Sequence, residues 1–219
     1  MLVRSAMVHT VTDEFNNIQS WAAKNNLKIH PSKTKEIIFS RRRSNVQYPS
    51  EPFIPGAERV DALWVLGVIL APRLSMGAHL DHVIANCASS RFALRTLHHT
   101  NFIWLREWPV SSLMYASPSW WGLADAADRS RLERQLASLR RAGFLPSDFP
   151  SFNELARNAD TGLFWSICSN PDHVLRHYFT VKRPTGHNLH PRAHSFALPS
   201  KDSLNFVSRT LYAALLNRD

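Results

Sequence analysis

Cysteine is scarce. The chain of 219 residues holds only Cys87 and Cys168, far apart in sequence, which excludes a disulfide framework and a paired zinc knuckle and sets a reducing intracellular compartment (cytoplasm or nucleus) as the expectation. Long apolar runs are missing as well. The longest, Ala62 to Ala71, is about half the ~20 residues a spanning helix needs. The opening Met1-Leu-Val-Arg-Ser-Ala-Met-Val-His9 lacks the apolar core of a signal peptide. A soluble protein with no membrane partner is expected. Internal repeats and low-complexity tracts are absent. Two further absences concern chemistry. No Asp-Asp, Asp-x-Asp or Asp-x-Glu cluster occurs, and hard divalent ions need clustered carboxylates to hold them for nucleotidyl transfer. No Gly-x-Ser-x-Gly elbow marks a serine hydrolase.

What the chain does have is apolar residues at 44% and an excess of base, 26 Lys and Arg against 17 Asp and Glu for a formal charge of +9. The first suffices for a core. The second, shared by both halves of the chain, points to an anionic partner. Val11, Phe15, Ile18 and Ala22 recur on one helical face, opened by a Thr10/Asp13 capping pair and stopped at Asn25-Asn26. Lys35 to Ser40 reads as a strand, Phe53 to Val60 as a hairpin about Pro55-Gly56, and Trp64 to Leu70 as a buried strand with a bulge or close packing at Gly67. From Ser75 the period is helical, through Leu80, Ile84, Cys87 and Leu94. Trp104 to Tyr115 reads as a helix that Pro109 kinks or restarts. Arg129 to Ala142 is the clearest helix, with Leu132, Leu136 and Leu139 as its buried stripe and Gly143 as its cap. Phe152 to Ala159, Gly162 to Ser169 and Asp172 to Thr180 read as short helices. Residues 182–201, with four prolines or glycines, read as an extended linker before a last helix over Leu204 to Asn217.

Four segments resemble one family. Trp21-x4-Asn26-Leu27-x-Ile29-x3-Lys33-Thr34 with Ile37-Ile38-Phe39 looks like the segment just after the catalytic aspartates in reverse transcriptases of non-LTR (LINE-type) retrotransposons. Leu66-Gly67-Val68 resembles their next motif, a short turn that introduces the primer grip. Tyr115-x-Ser117-Pro118-x-Trp120-x-Gly122, then Leu132-x2-Gln135 and Leu139-Arg140, is similar to their post-thumb region. Arg192-x-His194-x3-Leu198-Pro199, then Asn205-Phe206-x2-Arg209-x-Leu211-Tyr212, resembles the C-terminus of such reading frames, tick-transposon-like ones among them. The order is right and nearly the whole chain is covered. His30 stands where the family usually has Asn, and the (Tyr/Phe)-Ala-Asp-Asp block is missing, its expected place lying before Met1. Asp13-Glu14 sits inside an amphipathic helix and does not replace it.

The fold class expected is α+β with helix dominant: a palm remnant over 1–71, a helical thumb-like bundle over 72–145, and an appendage over 146–219. The resemblance implies a piece of an RNA-directed DNA polymerase that is inactive alone. The alternatives are a non-catalytic RNA- or DNA-binding module and a non-functional product of a decayed element. By resemblance Lys33 matches the lysine near the incoming triphosphate, a general acid toward pyrophosphate; an exposed loop lysine is the plain reading. Arg41, Arg42 and Arg43 in a loop, and Arg131, Arg134, Arg140 and Arg141 on the basic helix, are the candidates for phosphate contact, with Asp128 and Glu133 able to neutralise some. Such contact would be non-specific. A second expected partner is the missing N-terminal part of the polymerase. The intact parent family uses Mg2+, but no cofactor or metal site is expected in this chain. His79-x2-His82, Cys87, His98-His99, and His173 with His177 have metal-ligand spacings without the supporting Glu or second Cys, so packed or exposed histidines are expected. Trp104, Trp108, Trp120 and Trp121 sit among apolar residues and read as core rather than as base-stacking rings.

Overall fold

A computed structural model describes residues 8–40, 51–96, 108–181 and 194–216, and the chain divides into two units, Met1–Ser75 and Met76–Asp219. It is helix-dominated with two small sheets, in keeping with an α+β class.

In the first unit, α1 (Val8–Lys24) buries Ala22 and half-buries Val11 and Phe15, while Ile18 is largely exposed. Its end lies at the predicted asparagines. Asn26 takes the left-handed conformation (φ 55°), and the N–H groups of Leu27 and Asn26 turn back to the carbonyls of Ala22 (2.8 Å) and Ala23 (3.2 Å), a Schellman closure.

Three strand expectations are corrected here. The first strand is only β1 (Lys35–Glu36), and it pairs in parallel with β2 (Glu58–Arg59). No hairpin forms over 53–60, because the Glu36 carboxylate takes the backbone donors that a ladder would use: the N–H groups of Phe53 (2.8 Å) and Ile54 (3.3 Å). The same carboxylate accepts from Arg59 Nε at 2.9 Å and Nη2 at 2.6 Å. The turn itself is present, since Ala57 N–H donates to Ile54 O with Gly56 at φ 79°. The run over 64–70 is not one strand but a hairpin of β3 (Leu63–Val65) and β4 (Val68–Leu70). Leu66 and Gly67, at φ 47° and 82°, form a two-residue turn with both central residues left-handed, which matches the strand twist. Gly67 is therefore a turn residue and not a bulge. Val68 and Ile69 are buried while Trp64 is exposed.

The second unit begins with α2 (Gly77–Thr96) and α3 (Trp108–Met114). Pro109 is the second described residue of α3, and the part of the expected helix before Trp108 lies outside the described residues. After Ala116, held at φ 50°, come α4 (Ser117–Trp120) and a single 3-10 turn over Trp121–Leu123. Next is α5 (Ala126–Arg141), whose first turn is capped by the Asp125 side chain accepting from Asp128 N–H. Leu132, Leu136 and Leu139 are all fully buried, as their spacing predicts. Gly143 at φ 75° closes α5, with Phe144 N–H on Leu139 O and Gly143 N–H on Arg140 O.

Phe152–Ser169 is one helix, α6, and not two. Gly162, inside this helix, costs about 1 kcal/mol relative to alanine. Burial of Phe152, Ala156, Phe164 and Ile167 along a continuous stripe outweighs that. The helix expected over 172–180 reduces to a 3-10 turn at Arg176–Tyr178, because Asn170 Oδ1 and His173 Nδ1 capture the N–H groups of Asp172 and Leu175 and so compete with helical bonding. Finally comes α7 (Phe206–Leu216). The linker expected over 182–201 is corrected where it is described. From His194 onward the chain packs: Phe196 bridges to Val181, and Ala197 N–H reaches Thr180 O at 2.7 Å. Phe196 joins Phe164, Ile167, Phe179 and Leu211 in a buried cluster. Prolines prevent a regular element there without preventing burial.

Candidate nucleic-acid interface

Lys33 ends the 3-10 turn Pro31–Lys33 and is exposed. Around it His30 Nδ1 and Ser32 Oγ share a hydrogen bond (2.9 Å) and Thr34 Oγ1 donates to His30 O. The nearby Lys35 pairs with Glu58 at 3.5 Å, an exposed contact of little energetic weight. Among the described residues no convergent set of carboxylates accompanies Lys33. Among the described residues no three His, Cys, Asp or Glu side chains are grouped so as to hold a metal ion.

Arg41, Arg42 and Arg43 lie outside the described residues. The four candidate arginines of α5, Arg131, Arg134, Arg140 and Arg141, fall into two classes. Arg131 pairs with Asp81 of α2 and also meets Asp128 at 3.5 Å; its guanidinium is held above its ordinary value first by the hydrogen bond to Asp81. Arg140 reaches the carbonyls of Phe149 (2.6 Å) and Pro150 (3.1 Å), tying α5 to the approach of α6. Both work within the fold. Arg134, whose Nε reaches only Ser130 O at 3.3 Å, and Arg141 are exposed. Of the two acids expected to neutralise this helix, Asp128 does so at Arg131 while Glu133 is engaged elsewhere. Glu133 Oε1 accepts the Phe152 N–H at 2.8 Å at the start of α6. Glu154 closes a capping box with Ser151, and those hydrogen bonds hold its carboxyl below the ordinary range.

The ring and imidazole expectations are met where the side chains are described. Trp120 and Trp121 are buried against Phe152, ring centroids 6.1 and 5.1 Å apart. Trp104, His98 and His99 lie outside the described residues, as does the side chain of Trp108. His79 packs edge-on against Trp120 at 5.2 Å, His82 Nε2 bonds Asn86 (2.8 Å), and His177 lies against Tyr178 (3.9 Å). Burial pushes the thiols of Cys87 and Cys168 up, opposed by Arg91 and Arg176 respectively, so neither is an activated nucleophile.

Burial, with His82 adding to it, holds the His79 imidazole below its ordinary value. The unfolded ring takes a proton near pH ~6.5 and the folded ring only at lower pH. Stability is therefore full above that value and declines as pH falls through it. Urea midpoints at pH 7 and pH 5 are expected to differ less in His79→Phe, which keeps a ring against Trp120, than in the unsubstituted chain. Equal differences would remove His79 as a source of acid sensitivity.

Sequence reasoning missed three groups. Arg209 donates from Nε and Nη2 to the Asp160 carboxylate (2.7 and 3.0 Å), from Nη2 to Pro118 O (3.2 Å) and from Nη1 to Leu204 O (3.2 Å). Gly122 lies directly beneath it. Arg91 of α2 donates to Ser138 Oγ on α5. Only Arg209 and Gly122 carried a signal, as residues of the two C-terminal motifs. No helix of the described residues is long and apolar enough to cross a membrane. Comparison with models of known families, with curated proteins and with solved structures finds no match for this chain.

Proposed function

We propose that the chain is the part of a non-LTR retrotransposon reverse transcriptase that follows the catalytic aspartates, and that these residues bind RNA or DNA without copying it. In this reading residues 1–71 are the palm remnant, residues 72–145 the thumb-like region and residues 146–219 the appendage. The observation that carries it is the meeting of two motifs far apart in sequence. Arg209 of the last motif lies on Pro118 O and over Gly122 of the post-thumb motif. Within the C-terminal motif, His194 Nε2 bonds Leu211 O (3.1 Å) and the Tyr212 hydroxyl donates to Pro199 O (3.0 Å). Two of the four patterns thus interlock, as segments of one ancestral folding unit would. The turn at Leu66-Gly67 suits the short turn that the primer-grip motif implies.

Binding rests on Arg134 and Arg141. Each is a permanent cation that can displace condensed counterions from a phosphate, giving sequence-independent and salt-sensitive affinity. Lys33 adds a further exposed cation, but with no carboxylate pocket beside it no transfer step is assigned to it. Arg134→Ala with Arg141→Ala should lower the slope of log affinity against log salt by about 1.4 on a single strand and about 1.8 on a duplex, two phosphate contacts' worth. An unchanged slope would remove α5 from the interface. The chain alone should not extend a primer with magnesium or manganese; extension would overturn the proposal. Absence of binding at low salt would leave the reading of a decayed, non-functional product.

A further inference from the structure

The line where α2 meets α5 holds more positive charge than those two arginines supply. Ser138 lies one helical turn after Arg134 and just under one turn before Arg141, and Arg91 of α2 donates to its hydroxyl. The Arg91 guanidinium is thus set between the other two on the same face of α5, within the rise of about 10 Å that separates them. Arg95, exposed, follows Arg91 by one turn of α2. Arg95 and Arg141 stand in the last turns of their helices, where the backbone dipole favours cations.

Among the described residues, the acids of α2 and α5 are engaged away from this row. Asp81 and Asp128 both converge on Arg131, while Glu133 and Glu154 turn to the start of α6. Among the described residues no ion pair includes Arg91, Arg95, Arg134 or Arg141. Beside them stands Phe92, 74% exposed, the only large exposed hydrophobic side chain of α2 among the described residues. It is adjacent to Arg91 and three residues before Arg95, so it rises from the edge of the same cationic row.

We propose that this seam is a binding site for a single strand of RNA or DNA, with Arg91, Arg134 and Arg141 on its phosphates and Phe92 against the face of a base. It rests on the nucleic-acid reading above and extends it to a strand type and to two residues not previously assigned. An exposed ring flanked by guanidinium groups matches the way unpaired strands are held, by stacking that tolerates any base and by charge that follows the backbone. A duplex offers no free base face to Phe92. A bilayer would need a broad apolar helix face, whereas one ring rises here from a charged row. Arg91 is half-buried and already anchored on Ser138, so little of its freedom is lost when a phosphate binds.

The test uses the whole chain and a fluorescein-labelled 20-nucleotide oligo-dT or oligo-U, titrated across a series of KCl concentrations, with the corresponding duplex as comparison. Arg91→Gln is expected to lower the salt slope by about 0.7, one phosphate contact on a single strand, and Arg91→Lys to restore it. Phe92→Ala is expected to weaken single-strand binding about fivefold or more, leave the slope unchanged and leave duplex binding unchanged. Arg157→Gln, an exposed arginine of α6 not assigned to the row, is the control. Melting curves establish that each variant is folded. If Arg91→Gln behaves like the control while Arg134→Ala with Arg141→Ala still lowers the slope, α5 binds nucleic acid and the seam is refuted. Duplex binding tighter than single-strand binding, or equal dependence on Arg91 and Phe92 with phosphatidylserine vesicles, also overturns the assignment. No binding to any oligonucleotide removes the broader reading with it.

Discussion

Arg209→Met should destabilise the second unit by about 3–5 kcal/mol, the cost of leaving one member of a buried ion pair without its partner. Asp160 is 6% exposed, and both its carboxylate oxygens are taken by Arg209. With the guanidinium gone, the carboxylate stays in a site too dry to hydrate it. The carbonyls of Pro118 and Leu204 lose a donor at the same time. Since small domains are stable by only about 5–15 kcal/mol, the loss is a large share of the total and should appear as a much lower urea midpoint. Charge burial and lost packing can be separated. Adding Asp160→Leu removes the stranded carboxylate, and the double variant should recover a substantial part of the stability, because apolar replacements of a buried pair are often tolerated. A loss below about 1 kcal/mol for Arg209→Met would place the pair with ordinary surface ion pairs and remove Arg209 as the tie between α4, α6 and α7.

That tie shows what the sequence could and could not reveal. Periodicity located α1, α2 and α5 because their buried positions recur at helical spacing, and Leu132, Leu136 and Leu139 are the clear case. Glycine and asparagine marked helix ends correctly at Asn26 and Gly143, where the backbone is left-handed. Strand readings failed for a reason local pattern cannot carry. Glu36 reaches 17 residues along the chain to cap the backbone at Phe53, and no alternation of apolar residues announces such a bond. The same holds for the helix expected at 172–180, undone by two side chains that bond their own backbone. Composition at 194–201 suggested a linker because proline excludes regular elements, yet Phe196 is buried in the core. On the candidate interface, the basic helix was legible as a stretch of arginines. Which of them are free to meet a phosphate was not, since Asp81 lies 50 residues before Arg131 and Arg140 is spent on the carbonyl of Phe149. Arg91 had no sequence signal at all: only the packing of α2 on α5 sets it between Arg134 and Arg141.

Gly122→Ala should cost about 3 kcal/mol, at the upper end of what forcing extra volume into a packed site costs. A Cβ at this position would lie 2.0 Å from Arg209 Nη1 and 2.3 Å from the carbonyl oxygen of Leu204, far inside van der Waals contact. The guanidinium is the tip of a long side chain and could swing aside, but only by giving up Asp160. The Leu204 carbonyl is backbone, close to the start of α7 at Phe206, and moving it displaces the chain that feeds that helix. Alanine would otherwise favour the folded state slightly by restricting the unfolded chain, so a measured loss understates the clash. Comparing Gly122→Ala in the presence of Arg209 and of Arg209→Met separates the two obstacles. If the guanidinium is the main one, the glycine substitution becomes nearly harmless once Arg209 is methionine. If the carbonyl is, most of the loss persists in that background, because Leu204 O still meets the new methyl. A Gly122→Ala chain as stable as the unsubstituted one would mean that the segment around Leu204 does not lie over Gly122, and with it would go the interlocking of the two motifs on which the reverse-transcriptase reading rests.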